Sequence, residues 1–213
     1  MTPPQPPRRK RLRLRGFDYS SSGAYFVTIC TNGRLPLLGE VENEEMRLSE
    51  CGEIAHSCWL DLPLHYAHLD LDSFVIMPNH LHGILILRED GADLRSAPTR
   101  RTAGQGLVGV DPRSTPRTPR QHGIPQIIRS FKSFSTRRIN EHRNTPGALF
   151  WQRSYYEHVI RDEPVLSRIR HYILANPADW SLDRENPDRR ASDEFDRWLQ
   201  GQGARPRPGG GRQ

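Results

Sequence analysis

The chain is 213 residues long, enough for one domain with a core of its own plus roughly 60 to 80 residues of tails and insertions. Lysine and arginine number 31 against 25 acidic residues, a net charge of +6 that suits a polyanionic partner. No segment approaches the ~20 apolar residues that cross a bilayer, and the three cysteines, Cys30, Cys51 and Cys58, are odd in number and lack CxxC spacing. These features exclude a membrane protein and a fully disulfide-paired secreted domain, and lead us to expect a soluble, cytoplasmic chain.

Residues 1–16 open with Pro3, Pro4, Pro6 and Pro7 and carry Arg8, Arg9, Lys10, Arg11, Arg13 and Arg15 before the first acid, Asp18. This composition predicts a disordered basic arm. Ala24 to Thr31 is β-branched and aromatic and is followed by Asn32-Gly33, which predicts a strand ending at a tight turn. Leu37 to Val41 is expected to pair with it as a short second strand. Ser49 is placed to cap a helix that carries Glu50 and Glu53 in its first turn, keeps Ile54 and Cys58 on one face, and stops before Pro63.

Leu69 to Met77 and His82 to Leu87 read as two strands joined through Pro78-Asn79-His80-Leu81, the second apolar enough to be buried on both faces. Residues 89–122 carry four prolines and six arginines without an apolar period, the pattern of an insertion or mobile loop. Ile124 to Asn140 alternates Ile127, Ile128, Phe131 and Ile139 with Arg129, Lys132, Arg137 and Arg138, an amphipathic helix with a basic outer face. Phe150 to Ile160 is expected to be a last strand, and Glu163-Pro164 opens a helix that runs to Asn176. The domain is expected over 17–180. Residues 181–213 are expected to form a tail with a short helix over Ser192 to Gln200. The order β, β, α, β, β, α, β, α predicts an α+β fold: a ferredoxin-like sandwich with helices packed on an antiparallel-rich sheet.

His80-Leu81-His82 carries the first chemical signal. In extended chain the two imidazoles project from one face while Leu81 faces the other, so the pair can share a metal ion. Tyr172 and Asn176, four apart on the last helix, fall on one face beside the apolar stripe Leu166, Ile169 and Ile173. A tyrosine is a poor nucleophile at neutral pH unless a metal or cation assists it. An isolated His-x-His is more often a polar pair beside a hairpin, and an isolated tyrosine on such a helix is more often core. The two motifs in one chain favour a site with His80 and His82 as ligands, Asn176 as the third, and Tyr172 as nucleophile.

Three blocks in order, Pro78-Asn79-His80-Leu81-His82-Gly83, then Trp151-Gln152-Arg153-Ser154-Tyr155-Tyr156-Glu157-His158-Val159-Ile160-Arg161, then His171-Tyr172-Ile173-Leu174-Ala175-Asn176-Pro177, resemble the REP-associated tyrosine transposases. These are relatives of the single-tyrosine, IS200-like transposases, and the resemblance runs from about Phe17 to Trp180. It implies a ferredoxin-like core in which the two histidines bind Mg2+ or Mn2+. It also implies a tyrosine that cuts single-stranded DNA at folded palindromes, leaving a 5′-phosphotyrosine and a free 3′ hydroxyl. Asn176 stands where related enzymes carry a polar ligand, often glutamine. Tyr155 and Tyr156 are rival nucleophiles and His158 a rival ligand. Arg129, Lys132, Arg137, Arg138 and Arg153 are expected to track the DNA backbone, with Phe17, Tyr25 or Trp151 as stacking platforms. The resemblance admits a homodimer. A non-catalytic hairpin-binding protein stays open as the alternative, as does a zinc site built from Cys51, Cys58 or His56.

Overall fold

The structure is a computed structural model and describes residues 18–89, 122–189 and 194–202. The expected basic arm, Phe17, the arginine-rich part of the insertion and the end of the tail lie outside the described residues.

Four strands form one antiparallel sheet: β1 (Gly23–Cys30), β4 (Leu69–Met77), β5 (His80–Leu87) and β6 (Tyr156–Ile160), in the spatial order β4-β5-β1-β6. Helix α1 (Glu50–Leu60), extended by the short α2 (Leu62–His65), connects β1 to β4, and α3 (Ile124–His142) connects β5 to β6. This β-α-β-β-α-β path with the first strand in the middle is the ferredoxin-like arrangement expected from the element order. Helices α4 (Glu163–Ala175) and α5 (Glu194–Gln202) complete the described chain.

Ser49 caps α1 by accepting from the Gly52 amide, as its position suggested. Asp162 does the same for α4 through the Val165 amide, with Pro164 in the first turn. Leu37 to Val41 departs from expectation. Its strand, β2 (Gly39–Glu42), pairs with β3 (Glu45–Leu48) rather than with β1. Asn43 and Glu44 both take positive φ, 51° and 66°, and close a two-residue hairpin, while the neighbours of β1 are taken up by β5 and β6.

Strand alternation divides the sheet into two faces. Tyr25, Val27 and Ile29 of β1 and Leu81, Leu85 and Leu87 of β5 join Trp59 of α1 and Ile127, Ile128, Phe131 and Ile139 of α3 in the larger core. Residues one step along, Phe26 and Ile84, join Ile160, Val165, Ile169 and Ile173 under α4, with Phe195 and Leu199 of α5. Gly83 lets the first layer close: a Cβ there would stand 2.5 Å from the Trp59 ring, so only glycine admits that indole against β5. Tyr25 and Trp151, expected as stacking platforms, are core residues. Tyr25 is fully buried, and the buried Trp151 donates its indole N–H to Ser135.

Candidate metal and tyrosine site

The site grows from the tight connection between β4 and β5. Pro78 and Asn79 make the turn, and β5 begins at His80, so both histidines of the His-Leu-His triplet are in extended chain and point to the α4 face. The register sets His80 opposite Cys30 and His82 opposite Thr28 of the neighbouring central strand. Facing pairs share a side of the sheet, and Thr28 Oγ1 lies 2.9 Å from His82 Nδ1.

Asn79 determines which nitrogen of His80 is free. Its amide nitrogen donates to the carbonyls of Arg34 (3.2 Å) and Glu185 (2.7 Å), which can only accept, so its oxygen is the atom 2.8 Å from His80 Nδ1. His80 therefore carries its proton on Nδ1 and presents a lone pair at Nε2. That atom is buried and has no hydrogen-bond partner in the protein. Burial, with the His82 charge beside it, pushes the His80 pKa down to about 3, so the ring is neutral at physiological pH.

Helix α4 brings Tyr172 and Asn176 to this point, and the segment after it brings a residue that the sequence reading placed in the tail. Past Pro177 the chain makes a single 3-10 turn, Trp180–Leu182, and Asp183 follows it with its side chain buried. Asp183 Oδ2 accepts from the Tyr172 hydroxyl and from Asn176 Nδ2, both at 2.8 Å, and Oδ1 accepts from the Glu185 amide. The same Oδ2 lies 3.6 Å from His82 Nε2 and 4.0 Å from His80 Nε2. Burial works against ionisation of Asp183, but the His82 ring beside it and the amide N–H that Asn176 donates overcome this and hold the carboxyl below the usual carboxylate range. Glu185, also buried, anchors this segment: its carboxylate meets Arg34 at 2.8 Å and Arg184 at 2.7 Å.

His80, His82 and Asp183 each offer one ligand atom, all within 4.8 Å of one another, and they are the group of this kind among the described residues. Two imidazoles and a carboxylate make a donor set for a divalent cation. The partnerless Nε2 of His80 is the specific sign that the residues fit an ion, since a buried nitrogen lone pair left unsatisfied is costly. Asn176, expected as third ligand, is buried in the same place, but its amide N–H holds the Asp183 carboxylate; its Oδ1 has no protein partner.

The Tyr172 hydroxyl lies 3.2 Å from His82 Nε2. The rival tyrosines do not reach this spot. Tyr156 packs edge-on to Phe26 under the Arg184 guanidinium, and Tyr155 lies in the opposite core beside Lys132. His158 is on β6, outside the group, with burial and Arg161 lowering its pKa. The cysteines are free and do not belong to it.

The expected DNA-tracking residues are elsewhere. Arg129, Lys132, Arg137 and Arg138 are on α3, which covers the other face of the sheet. Lys132 is committed to the carbonyls of Gln152 and Ser154 at 2.9 Å each, and burial lowers its pKa to about 8. Arg138 reaches Cys58 Sγ and Asp61, and Arg137 lies over the Phe134 ring. Arg129 and Arg153 are exposed.

Asp183 is the residue that the sequence left unmarked. The signal was available: Trp180 and Leu182 flank it with apolar weight that the Gly- and Arg-rich end of the chain lacks, and a histidine pair needs further ligands.

The structure thus sets a His-His-Asp cluster and an adjacent tyrosine on one face of a sheet that is covered on both. No family model matches the chain. A protein of Haemophilus influenzae that carries no functional description is 35% identical over 176 residues, covering 83% of this chain and 92% of its own. The chain belongs to the same family as that protein. Among solved structures, it is similar to a REP-associated tyrosine transposase bound to a REP hairpin, at 16% identity and a TM-score of 0.44, over 75% of this chain and 68% of that one. It is also similar to a candidate transposase from Deinococcus radiodurans, at 20% identity and a TM-score of 0.41, over 76% and 95%. No helix among the described residues is long and apolar enough to cross a membrane.

Proposed function

We propose that the chain is a single-tyrosine DNA transesterase, a transposase or its domesticated descendant, that cuts single-stranded DNA beside a folded palindrome and rejoins it. The observation that carries this reading is the Tyr172 hydroxyl at 3.2 Å from His82 Nε2 and 2.8 Å from Asp183 Oδ2, beside the free Nε2 of His80. The three sequence blocks that resemble REP-associated tyrosine transposases supply the DNA class.

His80, His82 and Asp183 would hold Mg2+ or Mn2+, with Asn176 keeping the carboxylate in place. When bound, the ion supplies a positive charge that polarises the scissile phosphate and steadies the charge that develops on it. Tyr172 Oη forms the new bond to phosphorus as the bond to the 3′ oxygen breaks, giving a 5′-phosphotyrosine and a 3′ hydroxyl. Its proton is already directed at Asp183 Oδ2 and passes through solvent to the departing oxygen. The phosphodiester is conserved in the aryl ester, so religation needs no nucleotide cofactor, and the chain has no GxxxxGK[ST] motif.

The test is to incubate the protein with labelled hairpin-bearing single-stranded DNA and Mn2+ and to look for a denaturation-resistant adduct. Wild type is expected to form it and Tyr172→Phe to lose it with DNA binding retained. An adduct that survives Tyr172→Phe removes Tyr172 as nucleophile. Binding without any adduct across native palindromes leaves a hairpin-binding module.

A further inference from the structure

The ring of Tyr172, as distinct from its hydroxyl, is held by a helix that the reaction does not otherwise use. Helix α5 docks on α4 through Phe195 and Leu199, both buried, with Trp198 partly buried alongside. The Arg168 guanidinium of α4 lies over the Trp198 ring at 4.4 Å and reaches the Glu194 carboxylate at 3.9 Å. These contacts set Phe195 flat on Tyr172, with centroids 3.7 Å apart and planes 6° from parallel. The Phe26 ring meets Tyr172 edge-on at 6.4 Å and 81°, and His82 stands 5.2 Å away on a tilted plane. Phe26 also meets Phe195 edge-on at 6.2 Å.

A phenol amplifies small errors of side-chain torsion. Its oxygen lies far from the Cα–Cβ axis, so a χ1 rotation of about 10–15°, well inside one rotamer well, displaces Oη by on the order of 1 Å. Displacements of that size cost about 100-fold in rate when a reacting atom must meet its target in line. Tyr172 is half-buried at the edge of the α4 face, and β1 and β5 restrain it from the sheet side only. Phe195 closes the opposite side.

We propose that Phe195 is a positioning residue for Tyr172: its ring fixes the plane of the phenol so that Oη stays aimed at His82 Nε2 and Asp183 Oδ2, and it keeps water off the buried ring face. This rests on Tyr172 being the nucleophile, as proposed above. The described C-terminal helix is thereby part of the cutting machinery.

The test uses the full chain with Phe195→Leu, which keeps most of the apolar volume but has no ring, and Phe195→Trp, which restores one. Adduct formation on the labelled hairpin substrate with Mn2+ should fall about 10- to 100-fold in Phe195→Leu and recover to within a few-fold in Phe195→Trp. Hairpin affinity and melting temperature should stay near wild type. A second readout is independent of turnover. In tyrosine-labelled protein the Tyr172 ring protons, assigned by their loss in Tyr172→Phe, should be shifted upfield by the Phe195 ring current and should return downfield in Phe195→Leu. Unshifted Tyr172 resonances in wild type, or a Phe195→Leu rate equal to wild type, defeat the proposal alone. A faster Phe195→Leu also overturns it, since the stack would then restrain the nucleophile. Absence of any wild-type adduct defeats the proposed reaction, and this role with it.

Discussion

On one face of the sheet, Tyr25, Val27, Ile29, Leu81 and Leu85 meet α1 and α3 in an apolar layer. On the other, residues one step along the same two strands, Phe26, Thr28, His80 and His82, meet α4 and the segment that carries Asp183. Identical backbones and a shared register thus serve two purposes that differ only in the parity of the residue number. Polar groups buried on the second face are matched by near neighbours: Thr28 with His82, Asn79 with His80, and Asn176 and Tyr172 with Asp183. Buried polar atoms without partners cost stability, so the free Nε2 of His80 marks the point where that face is shaped for something other than packing.

The contrast can be broken or sharpened by substitution. The largest effect belongs to the site face: His80→Ala should lower adduct formation by at least about 100- to 1000-fold while hairpin binding persists, because the polarising charge on the phosphate is lost. A cleavage rate unchanged in that variant would dissolve the distinction between the faces. On the packing face, Phe131→Ala should cost about 3–5 kcal/mol in chemical denaturation, the usual penalty for emptying an aromatic from a closed core, yet Mn2+ affinity of the folded fraction should be kept.

An acid effect should come next. His80 is neutral in the fold, with a pKa of about 3 against 6.5 in the free side chain. A group whose folded pKa is depressed adds stability above its unfolded value and loses it as pH falls toward the folded one. Between pH 7 and 4 the metal-free protein should therefore lose about 3 kcal/mol through this ring. His80→Phe should flatten the fall in melting temperature over that window; an identical slope in both proteins would show that the ring titrates in the fold as it does in the unfolded chain.

Gly83→Ala should cost about 1–3 kcal/mol by driving a methyl into the Trp59 ring, although the residue directly before it is His82. Arg138→Ala should be smallest, within about 1 kcal/mol, since its pairing with Asp61 is half exposed.

Most of this arrangement was legible in the sequence where a period carried it. The alternation Leu81, Gly83, Leu85 against His80, His82, Ile84 announced a central strand with a polar-tipped face, and the spacing of Tyr172 and Asn176 announced one face of a helix. The order of elements gave the sheet its ferredoxin-like path. Asp183 was not legible because it arrives through one 3-10 turn, too short for any repeat, and because its burial depends on Glu185 finding Arg34 more than a hundred residues earlier in the chain. The β2–β3 hairpin was missed for a similar reason: its turn uses Asn43-Glu44 at positive φ without a glycine to signal it. The basic residues of α3 looked alike in sequence, but tertiary contacts committed Lys132 to two carbonyls and Arg138 to α1.

The proposed ligand set joins β5 to a residue a hundred positions later, and this has a consequence for how the protein is made and kept. An unfolded chain holds the histidine pair and the carboxylate too far apart to grip an ion together, so at the proposed site Mn2+ would bind the native state in preference and draw the folding equilibrium toward it. Thermal melting should rise with the logarithm of Mn2+ concentration above its dissociation constant, and Asp183→Ala should weaken that response. On the ribosome, the histidines and Tyr172 emerge before Asp183 does, so under the proposed reaction a nascent chain would carry the nucleophile without the complete centre that arms it. The proposed capacity to cut DNA would then appear only once Asp183 is in place.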